Sequence, residues 1–219
     1  MRHELKAYKT LIFDCDGVVL DSNTVKTKAF YLSALHYGKE AASALVEYHV
    51  TNGGVSRYKK FAYFLEHIAQ IQSTYEKVAL DSLLKIFAIH VREGLLNCKV
   101  APGLEALRQQ TGQARWLIVS GGDQAELRDV FAERGIAEWF DGGIFGSPDT
   151  KEEILAREMF CNKNQAPALF LGDSKYDYLA ANKAGLDFLF LTGLTEVKDW
   201  QEFCQNNDIA NVATVKELL

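Results

Sequence analysis

The segment that decides the fold reads TLIFDCDGV and runs from Thr10 to Val18. An apolar run that ends abruptly in two acids and a glycine is typical of a buried strand that delivers carboxylates to the edge of a sheet. Because residues i and i+2 of a strand point to the same face, Asp14 and Asp16 are expected to serve one small site, unless the strand has already turned. Two carboxylates held close together cannot both ionise cheaply without a cation or a proton. The pair therefore suggests metal binding, covalent catalysis or acid–base chemistry, and the alternative is a solvated turn, which Asp and Gly also favour.

Composition sets the broad class of protein. The chain has 219 residues, of which 48% are hydrophobic and 24% charged, as in a soluble protein with a packed core. A formal net charge of −5 disfavours a broad nucleic-acid surface. The charged segment 1–9 has no signal-peptide core. No apolar stretch approaches the roughly 18 residues that span a bilayer. We expect a cytoplasmic protein that binds neither membrane nor nucleic acid, and its oligomeric state is not readable from the sequence.

The four cysteines do not suggest a metal or disulfide framework. They are widely spaced and form no CxxC pair, at Cys15, Cys98, Cys161 and Cys204. Cys15 lies between two acids, which disfavour its thiolate. We interpret Cys15 as a packing residue on the opposite face of the strand.

Short apolar runs separated by helical patterns predict an α/β fold. The expected buried strands are Thr10–Asp14, Trp116–Ser120, Gly143–Gly146, Ala168–Asp173 and Phe188–Thr192. The helices expected between them are Pro102–Gln110, Gln124–Arg134, Lys151–Phe160 and Lys175–Ala184. Pro102 suits a first helical turn, and Gly135 and Gly185 suit helix C-termini. The alternation implies a parallel sheet covered by helices on both faces, which binds ligands beyond the carboxyl ends of its strands.

The stretch from about residue 23 to residue 97 breaks this alternation. It contains no convincing strand, and four segments are expected to be helices: Thr24–His36, Glu40–Val50, Arg57–Ile68 and Tyr75–Glu93. A helical insertion between the first strand and the next is the natural explanation. We expect it to lie above the carboxyl edge of the sheet as a cap.

Three further motifs follow predicted strands. Ser120 and Gly121 offer a hydroxyl and backbone N–H groups near a helix N-terminus, a combination that suits a phosphate oxygen. Lys151 begins a helix, where a cation opposes the helix dipole, and this favours a functional reason for it. Asp173 ends a strand, and Asp177 follows four residues later. Each motif alone has a structural explanation: Ser120 and Gly121 as a turn, Lys151 as a solvated lysine, and Asp173 as a helix N-cap.

Together, and in this order, the motifs resemble those of the haloacid dehalogenase-like (HAD) hydrolase superfamily over nearly the full chain. The matching motifs are DxDGV at 14–18, a serine at Ser120, a lysine at Lys151 and GDSxxD at 172–177. The helical insertion after the first motif is similar to the branch that contains phosphoglycolate phosphatases and β-phosphoglucomutases. The resemblance implies a Rossmann-like catalytic core, 1–22 and 98–219, and a helical cap domain, 23–97.

The resemblance also implies a mechanism. Asp14 is the expected nucleophile, which attacks a phosphoryl group to give an aspartyl phosphate. Asp16 is expected to protonate the leaving alcohol and then to deprotonate water. Dehalogenases of the superfamily lack an acid at the place of Asp16, so its presence favours phosphate transfer. Ser120, Gly121 and Lys151 are expected to hold the phosphoryl oxygens.

Mg²⁺ is the cofactor that the resemblance implies, since it offsets the repulsion between an anionic nucleophile and phosphate. The family pattern supplies the Asp14 carboxylate, the Asp16 carbonyl and the Asp173 carboxylate as ligands. Asp177 is assigned either to the metal shell or to the orientation of Lys151.

The cap contains the sequence TNGGVSRYKK, at residues 51–60. Ser56 is expected to cap the helix that follows. Arg57 is expected to hold an anionic or hydroxylated part of the substrate, because its fork suits carboxylate or phosphate; the alternative is a solvated helix start. A Schiff-base role for Lys59 or Lys60, by analogy with phosphonoacetaldehyde hydrolases, is a further alternative.

The leading interpretation is a Mg²⁺-dependent phosphatase that acts on a small phosphorylated metabolite. A sugar phosphomutase shares the aspartyl phosphate and is not cleanly separated from it by the sequence. A non-catalytic binding protein on this fold is a third possibility, and the intact set of acids, serine and lysine argues against it.

Overall fold

A computed structural model describes residues 5–161 and 166–219. The first four residues of the charged segment 1–9 lie outside this part of the chain. Among the described helices, none is both long enough and apolar enough to cross a membrane.

Six parallel strands form one sheet in the described part of the chain. The strands are β1 (Thr10–Phe13), β2 (Arg115–Asp123), β3 (Gly143–Ser147), β4 (Ala168–Gly172), β5 (Asp187–Leu191) and β6 (Asn211–Val212). Their order is β3-β2-β1-β4-β5-β6. Phe13 of β1 pairs with Ile118 of β2 on one side and with Leu171 of β4 on the other. The chain leaves β1 at the centre of the sheet, where ligands of such folds bind.

Nine α-helices accompany the sheet in the same described ranges. The helices before β2 are α1 (Asn23–Ala34), α2 (Lys39–Thr51), α3 (Arg57–Tyr63), α4 (Ser73–Asn97) and α5 (Leu104–Gln110). The later helices are α6 (Gln124–Glu133), α7 (Lys151–Cys161), α8 (Lys175–Lys183) and α9 (Trp200–Asn206). A short π-helical segment, Phe64–Ile68, continues α3.

Both faces of β1 are buried, which explains its continuous apolar sequence. Leu11 and Phe13 pack into the larger apolar core, with residues of α5 and α6. Ile12 points to the opposite face and packs with residues of α7 and α8. The sheet is therefore covered by helices on both sides, as predicted, and the carboxyl end of β1 opens between the two layers.

The helices α1 to α4, which we call the cap helices, form the predicted insertion after β1. Their apolar side chains, among them Phe30, Leu45, Phe61 and Phe87, join the larger core without exposure to solvent above 2%. The division into a core domain and a cap domain at residues 22/23 and 97/98 stays a prediction.

The five predicted strands and eight predicted helices are confirmed, with their ends shifted by a few residues. One detail was wrong: α5 begins at Leu104 rather than at Pro102, because Gly103 has φ +87° and the helix starts after it. Strand β6, which has two residues, is too short to carry a clear period, and neither it nor helix α9 was predicted.

The cysteine interpretation holds for the side chains that the structure describes. Cys15, Cys98 and Cys204 are free thiols. Cys15 is fully buried in the larger core, and burial, with the charge of Asp16, raises the pKa of its thiol. It is the packing residue that the sequence predicted.

Candidate active site

Asp14 follows β1 and extends its pairing by one residue. Its backbone N–H donates to the carbonyl of Leu171 at 2.9 Å, and only 3% of the residue is exposed. Nζ of Lys151 lies 2.8 Å from Oδ1 of Asp14. Apart from this ion pair, Oδ1 has no hydrogen-bond partner within 5–161 and 166–219. A buried carboxylate oxygen with this freedom is available to a ligand.

Asp173 and Asp177 join Asp14 at the carboxyl edge of the sheet. One carboxylate oxygen from each of the three lies within 4.8 Å of the others. Asp173 follows β4, and its Oδ2 accepts a hydrogen bond from Nδ2 of Asn23 at 2.8 Å. Asp177 lies in the first turn of α8, where its Oδ2 accepts from the backbone N–H and the hydroxyl of Ser174. This capping box fixes Asp177 before any ligand binds.

Burial and nearby carboxylates raise the pKa values of two of these acids, Asp14 and Asp173. Burial raises the pKa of Asp14 to about 7, while Lys151 opposes the rise and the carboxylates of Asp177 and Asp16 add to it. Burial, together with Asp14 and Asp177, raises the pKa of Asp173 well above its usual value. The charge of Lys151 is therefore not enough to offset burial and repulsion at Asp14 and Asp173.

Lys151 lies between two of these acids. It is the first residue of α7, it is 1% exposed, and its Nζ pairs with Asp14 and donates a hydrogen bond to Asp177. Burial lowers the pKa of Lys151, but the charges of Asp14 and Asp177 outweigh burial and raise it above its usual value. Lys151 thus stays charged at neutral pH, and the acids compensate for its unfavourable place at a helix N-terminus.

Asp16 has different partners from Asp14. Its Oδ1 accepts a hydrogen bond from the hydroxyl of Ser22 at 2.5 Å, and its Oδ2 accepts from Nζ of Lys26 in an ion pair. Burial raises the pKa of Asp16, but Lys26, together with the hydrogen bonds from Lys26 and Ser22, outweighs burial and lowers it. Asp14 and Asp16 line the same cavity. The side chain of Asp14 belongs to the acid cluster, whereas the side chain of Asp16 contacts Lys26 on the cap helix α1.

Gly17 turns the chain away after these acids. Its φ is +73°, and a Cβ placed on it would lie 2.1 Å from Oδ2 of Asp173. Only glycine fits this conformation and this contact. The turn brings Asp173 against the loop that carries Asp14 and Asp16.

Ser120 and Gly121 lie on the carboxyl end of β2, next to β1. Ser120 is fully buried, and its hydroxyl accepts a hydrogen bond from the N–H of Gly122 at 3.0 Å. The hydroxyl of Ser147 donates to the carbonyl of Gly121 at 2.9 Å. These bonds hold the turn after the strand, and a phosphate-binding role for Ser120 and Gly121 stays a prediction.

The cap helices close this edge of the sheet and leave a cavity of about 60 Å³ beside the acids. Its lining includes Asp14, Asp16 and Asp173 from the core and Arg57 and Lys60 from the cap.

Arg57 joins the cap to the core. It is 5% exposed, and its two terminal nitrogens donate to the carboxylate of Glu126 on α6 at 3.1 and 2.5 Å. Its predicted contact with substrate stays a prediction, because Glu126 holds its fork here. Ser56 caps α3 as predicted, since its hydroxyl accepts from the N–H of Lys59.

The sequence analysis did not identify Lys26 or His49 as site residues, and it considered Lys60 only for a Schiff-base role. Each is buried on the apolar face of a cap helix: Lys26 with Phe30, His49 with Leu45, and Lys60 with Phe61. A polar residue within an apolar stripe is the signal that would have identified them.

The acid cluster fits a divalent cation. Its donors are carboxylate oxygens, which Mg²⁺ prefers, and one of them, Oδ1 of Asp14, is buried without a hydrogen bond among the described residues. Burial is the main cause of the raised pKa values of Asp14 and Asp173, and a cation bound among these acids would oppose it. The side chain of Asp16 is not part of this cluster, and the expected contribution of its backbone carbonyl stays a prediction.

Comparison with known proteins identifies the relatives of this chain. The model of the family described as haloacid dehalogenase-like hydrolase matches residues 8–185. A phosphoglycolate phosphatase of Vibrio cholerae serotype O1 is 30% identical over 195 residues, which are 83% of this chain and 83% of that protein.

Two solved structures illustrate the shared fold. A predicted phosphatase from Clostridium acetobutylicum has a TM-score of 0.73 at 22% identity, over 96% of each chain. A β-phosphoglucomutase from Clostridium difficile has a TM-score of 0.70 at 18% identity, over 97% of this chain and 93% of that one. At these identities the likeness establishes the fold and nothing finer.

Proposed function

The chain belongs to the haloacid dehalogenase-like hydrolase family, as a phosphatase, and from this premise we propose that it is a Mg²⁺-dependent phosphomonoesterase of a small metabolite. Its relative in Vibrio cholerae makes 2-phosphoglycolate the first substrate to test. We further propose a cytoplasmic location, with no nucleic-acid or membrane partner. The observation that carries the proposal is Asp14, buried between Lys151 and two further acids in a cavity that the cap covers.

The first step that we propose is attack by Asp14. A carboxylate oxygen of Asp14 forms a bond to phosphorus, the bond from phosphorus to the alcohol oxygen breaks, and an aspartyl phosphate results. Asp16 gives its proton to the departing oxygen. Lys151 supports the step because its charge, 2.8 Å from Oδ1 of Asp14, stabilises the oxygens of the transferring phosphoryl group.

The second step returns the enzyme to its starting state. Water attacks phosphorus, Asp16 takes the proton from that water, and the bond between phosphorus and Asp14 breaks to release phosphate. Lys26 favours this step, because it holds Asp16 in the ionised form that accepts a proton. For the first step Asp16 must carry a proton, and the charge of Lys26 opposes that state.

Asp14, Asp173 and the carbonyl of Asp16 would hold Mg²⁺, and Asp177 would orient Lys151. When bound, the ion supplies positive charge that neutralises the acids and the developing charge on the phosphoryl oxygens. A non-catalytic role does not explain why the fold buries three acids without matching positive charge.

The test is release of phosphate by the purified protein with about 5 mM MgCl₂. We expect turnover of 2-phosphoglycolate and of p-nitrophenyl phosphate, loss of activity in EDTA, and at least a ~10³-fold loss of kcat in Asp14→Asn. Asp129→Asn, an exposed acid on α6, is the matched control and should keep full activity. A sugar phosphate incubated in parallel separates hydrolysis from isomer formation. Near-normal turnover by Asp14→Asn would exclude Asp14 as the nucleophile.

A further inference from the structure

Lys60 and His49 form a buried pair on the cap side of the cavity. Lys60 is 2% exposed and His49 is 7% exposed. Nζ of Lys60 lies 2.7 Å from Nδ1 of His49 and 3.3 Å from its backbone oxygen. Both residues line the cavity that contains Asp14 and Asp16. The pair therefore faces the same enclosed space as the proposed nucleophile.

The hydrogen bond between them fixes the proton on His49. Burial, with Lys60 and Lys26 nearby, lowers the pKa of His49 to about 2, so the ring is neutral. When Lys60 is an ammonium, it donates a hydrogen bond to Nδ1 of His49, and the ring hydrogen is then on Nε2. Nε2 is buried and has no hydrogen-bond partner within the described part of the chain. The nearest acid, Glu196, is 3.9 Å away, and its other oxygen accepts from Thr27.

Lys60 differs from the other cap cations of the cavity. Lys26 is paired with Asp16, and Arg57 is paired with Glu126. Lys60 forms no ion pair with any described carboxylate, and burial, with Lys26, lowers its pKa to about 7. An ammonium buried without a counter-charge is costly, and an anion that binds beside it recovers that cost.

We propose that Lys60 and His49 form a subsite for a carboxylate on the leaving group of the substrate, a proposal that rests on the proposed phosphatase function. Two of the three Lys60 donors contact His49, which leaves one donor for a ligand. That donor suits one oxygen of a carboxylate, and His49 holds Lys60 in place through Nδ1 and its backbone oxygen.

A second phosphate fits this subsite less well than a carboxylate. It brings about two negative charges. The acids Asp14, Asp16, Asp173 and Glu196 already line the cavity. Lys60 lines the same cavity as Asp14 and Asp16, so one small molecule can reach both the proposed nucleophile and Lys60. The substrate class is thus a phosphate ester of a short hydroxy acid.

The experiment compares 2-phosphoglycolate with its neutral amide analogue, 2-amino-2-oxoethyl phosphate, which differs only at the carboxylate. We expect the wild-type enzyme to favour the acid by at least about tenfold in kcat/KM. Lys60→Met should remove about tenfold or more of this preference, measured as the ratio of kcat/KM for the acid to kcat/KM for the amide. Lys59→Met is the matched control, since Lys59 is exposed next to it in the chain, and it should keep the preference.

Two outcomes would overturn the subsite: equal use of both esters by the wild type, or an unchanged preference in Lys60→Met. If Lys60→Met does not fold, Lys60→Gln and the wild-type comparison decide. If the proposed phosphatase function is wrong, the protein will release no phosphate from any ester in the presence of Mg²⁺. In that case calorimetry on Asp14→Asn with the same two ligands still tests the subsite. Tighter binding of the acid supports it, and equal binding contradicts it.

Discussion

Nζ of Lys151 lies 2.8 Å from Oδ1 of Asp14, yet this ion pair does not bring the pKa of Asp14 down to its ordinary value. Burial, assisted by the repulsion of Asp177 and Asp16, dominates and raises that pKa to about 7. The site therefore lacks positive charge when no metal is bound. This imbalance can be measured as stability without any assay of activity.

The metal-free protein should lose stability as pH rises from about 5 to about 7. Because the pKa of Asp14 is higher in the folded than in the unfolded state, the folded protein binds more protons over this interval, so the free energy of unfolding falls with pH. Urea unfolding in EDTA measures this loss. Between about pH 5 and about pH 7, the free energy of unfolding of the wild type should fall relative to that of Asp14→Asn by on the order of 2 kcal/mol.

Added MgCl₂ should reverse this loss. The free energy of unfolding of the wild type should rise with Mg²⁺ concentration, more at about pH 7.5 than at about pH 5, because the carboxylates must be ionised to bind the ion. Asp173→Asn, which removes one ligand, should show little of this stabilisation. An equal effect of Mg²⁺ on both proteins would mean that the ion binds elsewhere.

Asp16→Asn should separate the two chemical steps. An amide cannot give or take the proton, so an alkyl phosphate should lose at least about 100-fold in the first step. p-Nitrophenyl phosphate has a good leaving group and should keep its first step, while the aspartyl phosphate accumulates because its hydrolysis is slow. Rapid-quench kinetics measure both steps: the burst of p-nitrophenol gives the rate of the first step, and the slow phase that follows gives the rate of hydrolysis.

The control for this prediction is Asp21→Asn, a nearby acid that does not line the cavity, and it should behave like the wild type. Equal losses in the first step for both esters would argue against an acid role for Asp16.

The sequence predicted the core of the fold because buried parallel strands leave a clear apolar signal. It also predicted the acids that end β1 and β4, since these motifs are local. The sequence left open whether the strand had already turned at these acids, and the structure shows that it has, because β1 ends at Phe13 and Gly17 turns the chain. After that turn, Asp16 faces Lys26 on α1 rather than the other acids.

Contacts between the cap and the core could not be predicted from the sequence, because they join residues that are distant in the chain. Arg57 and Glu126 are far apart in the chain, and each alone resembles a solvated helix residue. Lys60 and His49 belong to different cap helices, and nothing local indicates that they meet. Such pairs depend on how helices pack, which a single sequence does not encode in any short window.

The buried bridge between Arg57 and Glu126 should be strongly coupled. Arg57→Met leaves the carboxylate of Glu126, which is 11% exposed, without its partner, and should cost about 3–5 kcal/mol of stability. The double variant Arg57→Met/Glu126→Gln should recover part of that loss. A double-mutant cycle by urea unfolding measures the coupling.

A second pair, Arg92 and Glu133, is a matched control, since it also joins the cap helix α4 to α6. Its side chains are 51% and 54% exposed, so its coupling should stay below about 1 kcal/mol. If the two cycles give the same coupling, burial does not strengthen the bridge at Arg57.

Arg57→Ala tests specificity separately. A greater loss of turnover with 2-phosphoglycolate than with p-nitrophenyl phosphate indicates that Arg57 contacts the leaving group.

Closure of the cap should depend on the absence of a side chain at Gly121. A Cβ on Gly121 would lie 2.2 Å from the carbonyl oxygen of Gly54, so alanine would push the cap loop away from the carboxyl end of β2. A displacement of this size at a binding loop is expected to lower kcat/KM by roughly 10–100-fold. Gly112→Ala is the control, because its Cβ would lie 3.7 Å from the nearest atom, in ordinary contact. Steady-state kinetics on both variants, with circular dichroism to verify folding, makes the comparison. Full activity in Gly121→Ala would show that the tight contact between the two loops is not needed for turnover.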